Sequence, residues 1–246
     1  FDPSEKEESL SVDFFKRDSS IEFSKKKIKF PNINKILQDK YARAFAIASF
    51  ANHELQAIEC MAYAIKYFWN GKDEEKNYIR GLVAAIVDEQ KHFKLYQKII
   101  KDLGYDFAEF PKNDFFLRHL LPLKNLSQFA AMMNLTFESA NIDFALYYQK
   151  IFSQNKFFDI ADCLEVVLKD EIGHVSLGKI QLGSKSGSSS ELWAKYIENL
   201  VFPLSPARAR GIDFKPENRK AIGLGEEFIQ NLANYSDNYS ITKRKK

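Results

Sequence analysis

The amino-acid sequence predicts an all-α protein: a four-helix bundle with one long crossover, preceded by an N-terminal arm and followed by extra C-terminal helices. Three observations predict it. Apolar residues recur at intervals of three and four over stretches far longer than a strand, the period of a helix with one buried face. Gly and Pro number only 10 and 7 in 246 residues, too few for a sheet protein with many tight turns. A long stretch without any period separates the periodic segments into two pairs, as a crossover between two helical hairpins would.

Residues 1–31 form the arm, charged and without a clear period, with a short helix or wrapping segment expected over residues 5–17 and a basic run at Lys25-Lys26-Lys27. The bundle occupies 32–183. Its first helix is expected from Ile33 to Phe68, on the apolar series Ile36, Ala44, Ile47, Ala48, Ala51, Leu55, Ile58, Ala62, Ile65. Gly71 stops it, and Asp73 caps the next helix, Glu74 to Leu103. Residues 104–124, with Gly104, Pro111, Asn113 and Pro122, make the crossover. Helices then follow over Leu126–Ser153 and Lys156–Leu182, with a polar Gly/Ser loop at Gly183–Ser190. The extension, 184–246, holds a short helix over Glu191–Asn199, an irregular basic segment from Phe202 to Gly211, a helix over Pro216–Asn234 and a basic tail ending Lys243-Arg244-Lys245-Lys246.

The chemistry lies in a repeated frame. Asp88-Glu89-Gln90-Lys91-His92 and Asp170-Glu171-Ile172-Gly173-His174 each place a Glu and a His three apart. On a helix that spacing turns a carboxylate and an imidazole toward one point. Upstream, Glu54 matches Glu138. Glu138 follows Glu54 by 84 residues and Glu171 follows Glu89 by 82, so the two hairpins are an internal repeat. Heights agree as well. Glu54 precedes Asn70 by 16 residues and Glu89 follows Asp73 by 16. At about 1.5 Å per residue both lie roughly 24 Å from the hairpin end and face each other. Glu138 precedes Gln154 by 16 residues and Glu171 follows Lys156 by 15.

Four Glu and two His at one level of a bundle call for cations. Unneutralised carboxylates crowded in a low-dielectric core would be strongly destabilising. Two divalent ions balance four negative charges, and carboxylate–imidazole ligation suits iron, manganese or cobalt better than thiol-selective metals. Glu54, Glu89, His92, Glu138, Glu171 and His174 are therefore the expected metal ligands. Asp88 and Asp170, each preceding a ligand Glu, are expected to accept the free N–H of the histidine on the other hairpin and so fix its orientation.

Other residues carry weaker signals. His53 neighbours Glu54 but points about 100° away, as a capped or surface histidine would. His119 is not expected to be a ligand. Glu59 and Asp143, each five residues past a ligand Glu, are read as solvated or as supporting the ligands. Tyr96 shares the face of His92; it is read first as core packing and second as a redox-active candidate catalytic residue. Arg208 and Arg210 are read as binding an anion or capping helix ends. Cys60 and Cys163 lie in apolar helical stretches, which suits reduced core thiols and a cytoplasmic protein. The net charge of +3 does not demand a nucleic-acid partner, and no stretch has the length of a membrane span.

The motifs Glu54/Glu89-x-x-His92 and Glu138/Glu171-x-x-His174 resemble those of the ferritin-like superfamily of carboxylate-bridged di-iron proteins. With His53-Glu54-Leu55-Gln56-Ala57-Ile58-Glu59, Leu135-Thr136-Phe137-Glu138 with Asn141 and Asp143, and Pro203-Leu204-Ser205-Pro206-Ala207-Arg208-Ala209-Arg210-Gly211, the chain is more closely similar to the bacterial ferritin-like family filed as domain of unknown function 455. The resemblance spans about residues 35–230 and implies a ferritin-like bundle. Neighbouring families with this ligand set include ribonucleotide reductase small subunits, multicomponent monooxygenases, a tRNA hydroxylase, rubrerythrins and ferritins. Tyr96 sits where the reductase small subunit carries its radical tyrosine, counted from His92.

The expected function is a non-haem di-metal oxidoreductase, di-iron or Mn/Fe, that activates O2 or peroxide as a hydroxylase or oxygenase. It would need an electron donor and would take an organic, apolar substrate, which a Phe count of 22 would suit. The alternatives are an iron-handling or peroxide-detoxifying protein, a tRNA-modifying hydroxylase, and an interaction module that keeps metal only to hold its bundle. A homo-oligomer is compatible with each.

Overall fold

The computed structural model describes residues 15–183 and 188–237, and these are helical apart from their connections. A short helix α1 (Ile33–Gln38) leads into α2 (Lys40–Tyr67), α3 (Lys76–Asp102), α4 (Phe115–Leu120) and α5 (Leu126–Met132). A π-helical segment, Met133–Glu138, joins α5 to α6 (Ser139–Gln154). Then come α7 (Phe158–Leu182), α8 (Ser189–Asn199), α9 (Pro216–Ala221) and α10 (Glu226–Asn234). The expected all-α class holds. Among the described residues there is no strand, only an isolated bridge between Phe23 and Lys112.

Four long segments pack in pairs, α2 on α3 and α6 on α7, with α3 against α7 joining the pairs. Alanine makes the first pairing close: Ala44, Ala46, Ala51, Ala57 and Ala64 of α2 are all buried. Two apolar clusters result. Ile47 and Ala51 from the first half of α2 meet Tyr96 and Ile100 from the second half of α3, with Phe152 and Leu164. Met61 and Ala64 meet Tyr78 and Leu82, with Ile142 and Val175. The antiparallel hairpins thus leave one polar level between two apolar ones, and Glu54, Glu89, Glu138 and Glu171 all fall there.

Several boundaries differ from the sequence expectation. The first helix breaks at Asp39, which is extended (φ −111°, ψ 120°) and whose carboxylate accepts from Tyr41 N, so a side-chain cap starts α2. Asp73 does not cap α3; it opens a 3-10 turn and pairs with Lys76 at 2.8 Å. Gly71 does terminate α2's hairpin, at φ 86°. The crossover is not structureless. It contains α4 and is stitched to α2: Asn52 Nδ2 donates to Asn113 O at 3.0 Å, and Phe116 N donates to Gln56 Oε1 at 3.0 Å. The third long helix contains the π segment, and the last expected helix is split into α9 and α10 by Gly223 at φ 77°. Most of the helix expected over 5–17, residues 184–187 of the Gly183–Ser190 loop and the basic tail lie outside the described residues, while Ser189 and Ser190 already belong to α8.

Cys60 and Cys163 are buried and unbridged. No helix among the described residues is long and apolar enough to cross a membrane.

Candidate metal centre

The predicted ligands reach the polar level from four helical segments. Glu54 comes from α2, Glu89 and His92 from α3, Glu138 from the end of the π segment, Glu171 and His174 from α7. π turns occur often at functional sites because the extra residue per turn re-aims side chains. The α7 approach to this segment is close: a Cβ on Gly178 would lie 2.7 Å from Leu135 Cγ and 2.9 Å from Asn134 Cβ. Asn134 fills the gap, its Nδ2 donating to His174 O at 2.9 Å and its Oδ1 accepting from Tyr78 Oη at 2.7 Å.

The six side chains form two overlapping groups. One is Glu54, Glu89, His92 and Glu171, the other Glu89, Glu138, Glu171 and His174. Within each, one ligand atom per residue lies within 4.8 Å of the others. Glu89 and Glu171 belong to both groups and so stand between them. None of the six exposes more than 4% of its surface.

The atoms at the centre satisfy one another poorly. Glu89 Oε1 is 3.0 Å and Glu171 Oε2 3.3 Å from His174 Nδ1, yet none of these atoms has a hydrogen-bond partner among the described residues, nor has Glu138 Oε1. A buried polar atom left unpaired costs about 1–3 kcal/mol. Oxygens and an imidazole nitrogen gathered so closely, with no partners of their own, form a site that could hold metal.

The electrostatics of the metal-free protein agree. Burial pushes the Glu54 carboxyl well above its usual range, and the charges of Glu89, Glu171 and Glu138 push it further. Glu138 is raised in the same way, by burial and then by Glu171 and Glu89. Burial also acts to raise Glu89, but Glu54, His174 and His92 outweigh it and hold Glu89 below the carboxylate range. For His174, burial alone would lower the pKa; the Glu171 and Glu89 carboxylates raise it well above 6.5 instead. Without metal the cluster therefore favours the protonated forms of Glu54, Glu138 and His174.

The outer aspartates sit on opposite hairpins from the histidines they face. His92 Nε2 donates to Asp170 Oδ2 at 2.9 Å, while His174 Nε2 stands 3.5 Å from Asp88 Oδ2, too long for a directed bond. In both rings Nδ1 is left to the cluster. Lys91 bridges the two aspartates, bonding Asp170 and lying 3.7 Å from Asp88. Tyr96 is buried beside Glu54, and together they line a cavity of about 20 Å³, enough for one water molecule. Its phenol is raised well above 10 by burial first and the Glu54 charge second.

The remaining candidates are outside both groups, though His53, Arg208 and Arg210 line a cavity with Glu54 and Glu138. His53 is in neither group and is not a surface residue. It is half-buried and stacks on Phe116 with centroids 5.2 Å apart, and burial drops its pKa to about 4, so it is neutral. His119 Nδ1 bonds Phe115 O at 2.7 Å. Glu59 and Asp143 are in neither group, and neither is solvated in the way the sequence suggested. Glu59 holds the arm through Arg17, at 2.8 and 2.6 Å, and Arg17 also donates to Asn52 Oδ1. Asp143 is fully buried against Arg219 of α9 and also accepts from Gly211 N at 3.0 Å. The two repeat-related acids thus each anchor a flanking segment. Arg210 donates to Ala233 O and Tyr235 O, the capping role, whereas Arg208 is exposed and has no side-chain partner among the described residues.

One residue given no role by the sequence supports the cluster. Asn141 Nδ2 donates to Glu171 Oε1 at 2.9 Å. It lies three residues past Glu138, a spacing that shares a helical face and could have flagged it.

A family model described as Protein of unknown function (DUF455) matches residues 4–230. A curated relative from Haemophilus influenzae, described as an uncharacterized protein, is 24% identical over 140 residues. That match covers 55% of this chain and 49% of the relative, so the chain spans about half the length of the curated relative it matches. No solved structure matches.

Proposed function

The chain belongs to the DUF455 family of proteins of unknown function, and we propose that it is a non-haem di-metal oxidoreductase that activates O2 or peroxide to oxygenate an organic substrate. In this reading residues 32–183 form a ferritin-like four-helix bundle around the centre. The observation that carries it is the convergence of six buried carboxylate and imidazole side chains from four helical segments, with unpartnered oxygen and nitrogen atoms on three of those segments. Glu54 and His92 would hold one ion, Glu138 and His174 the other, with Glu89 and Glu171 shared. A redox-active pair, di-iron or Mn/Fe, would supply the electron transfer and oxygen chemistry that side chains cannot.

The protein's own contributions are orientation, proton handling and exclusion of water. Asp170 fixes the His92 ring so that Nδ1 faces the cluster, and Asp88 stands ready to do the same for His174. Asn141 holds one oxygen of Glu171 and leaves the other free. Tyr96, kept protonated by burial and lining the same small cavity as Glu54, can pass a proton toward that carboxylate. The two apolar clusters close both ends of the site against bulk water.

The test is metal analysis of protein from iron- and manganese-supplemented cells, followed by oxygen uptake after anaerobic reduction. About two ions per chain and reductant-dependent oxygen uptake are expected. Saturated metal without oxygen consumption would overturn the reading. Ferrous oxidation with no organic product would move it to iron handling.

A pH dependence follows. Groups whose folded pKa is raised, here Glu54, Glu138 and His174, contribute stability below their unfolded pKa and lose it as pH rises toward the folded value. The metal-free protein should therefore lose thermal stability as pH rises above the ordinary Glu range of about 4 to 5, while metal affinity rises because binding displaces those protons. Calorimetry of metal-free and metal-loaded protein over that rise in pH checks it. A metal-free Tm that rises with pH would contradict the protonated cluster.

A further inference from the structure

We propose that an aromatic-walled cavity beside the Glu54–Glu138 edge of the cluster binds a small amphipathic carboxylate, with its head group on Arg208 and its apolar body toward the cluster. The cavity holds about 230 Å³. Glu54, Glu138 and Arg208 all line it, together with His53, Asn141 and the rings of Phe116, Phe137 and Phe144. It is the one place among the described cavities where cluster carboxylates meet a largely apolar wall of this size.

The wall is rigid. Phe116 and Phe137 stack with centroids 4.5 Å apart and planes 10° from parallel, and Phe115 packs on Phe137 at 5.5 Å. Glu138 presents a buried oxygen with no partner. The segment that carries Arg208 is fixed to α6: Ser139 Oγ donates to Ala209 O at 3.1 Å, and a Cβ on Gly211 would lie 2.7 Å from Ala140 O. Arg210 also lines the cavity, but its guanidinium is committed to the carbonyls of Ala233 and Tyr235. Arg208 is thus the cation left for a ligand.

The charge pattern selects the ligand class. A guanidinium fork matches a carboxylate with two parallel hydrogen bonds. Phe115, Phe116, Phe137 and Phe144 give the cavity a largely apolar wall, so it takes hydrocarbon. At roughly 30 Å³ per water-sized group, the space accommodates about eight such groups. A monocarboxylate of this size would present its far end, not its α-carbon, to the cluster. What happens to that end rests on the metal reading above; the binding itself does not.

The experiment is titration calorimetry of the full chain, metal-loaded and metal-free, with octanoate and with octanol as its neutral counterpart. Saturable binding of one octanoate per chain is expected, with octanol at least about tenfold weaker. Arg208→Gln should weaken octanoate about ten- to hundredfold and leave octanol unchanged. Arg118→Gln, a nearby surface cation outside this cavity, should change neither. Absence of saturable octanoate binding, equal affinity for octanol, or an unaltered Arg208→Gln variant would overturn the proposal. Arg208-dependent octanoate binding to a chain that takes up no metal would uphold the pocket while the di-metal reading fell. Metal uptake with no octanoate binding would do the reverse.

Discussion

Glu89→Gln is expected to abolish binding of both metal ions, with loss of any reductant-dependent oxygen uptake. Glu89 is common to the two ligand groups, and its two oxygens approach both histidines, His92 Nδ1 at 3.2 Å and His174 Nδ1 at 3.0 Å. The amide keeps the volume and removes the charge, so the site loses an anion shared by both ions. The effect should exceed the roughly 10–100-fold loss of affinity typical when only an outer partner of a ligand is removed. Glu54→Gln provides the contrast, because Glu54 belongs to one group and should empty one position while the other stays filled. Metal content per chain, measured on both variants, decides it. Two ions retained in Glu89→Gln would show that Glu89 does not bridge.

Arg219→Ala should destabilise the protein by about 3–5 kcal/mol, or roughly 10 °C in Tm, without altering any proposed ligand. Arg219 and Asp143 are both fully buried and bond each other through two guanidinium nitrogens. Arg219 also donates to Ser139 O at 2.6 Å and Ala209 O at 3.2 Å. Removing it strands the Asp143 carboxylate in the interior and releases the segment that carries Arg208 from the helix that carries Glu138. Arg219→Met combined with Asp143→Leu should recover much of the loss, since replacing a buried ion pair by apolar groups is often near neutral. Thermal unfolding of the single and double variants checks this. A single variant as stable as the parent would mean that the pair contributes nothing to holding α9 in place.

Arg219 also shows where reading the sequence stops. It lies in a polar stretch, Pro216-Glu217-Asn218-Arg219-Lys220, where every residue looks like solvated surface, and nothing local says that it is the buried one. Its partner is 76 residues away. Asp143 and Glu59 looked equivalent by position in the repeat and read as solvated or as supporting the ligands; each is claimed by an arginine from a different flanking segment. The break at Asp39 and the π segment were hidden for a related reason. Apolar spacing persists through both, and the local hydrogen bonding that departs from the helix leaves no mark on it.

By itself the sequence determined the helical class, the two hairpins and the level at which Glu54, Glu89, His92, Glu138, Glu171 and His174 meet. These follow from the helical period and rise, which act between residues three or four apart and convert residue number directly into face and height. Only the tertiary structure decided that Glu89 and Glu171 stand between the two groups, that Asn141 holds Glu171, and that Arg208 lines an aromatic cavity while Arg210 caps the C-terminal end of α10. Those outcomes depend on which distant segments pack together, and a side chain's partner across such a contact is set by shape and burial rather than by spacing along the chain.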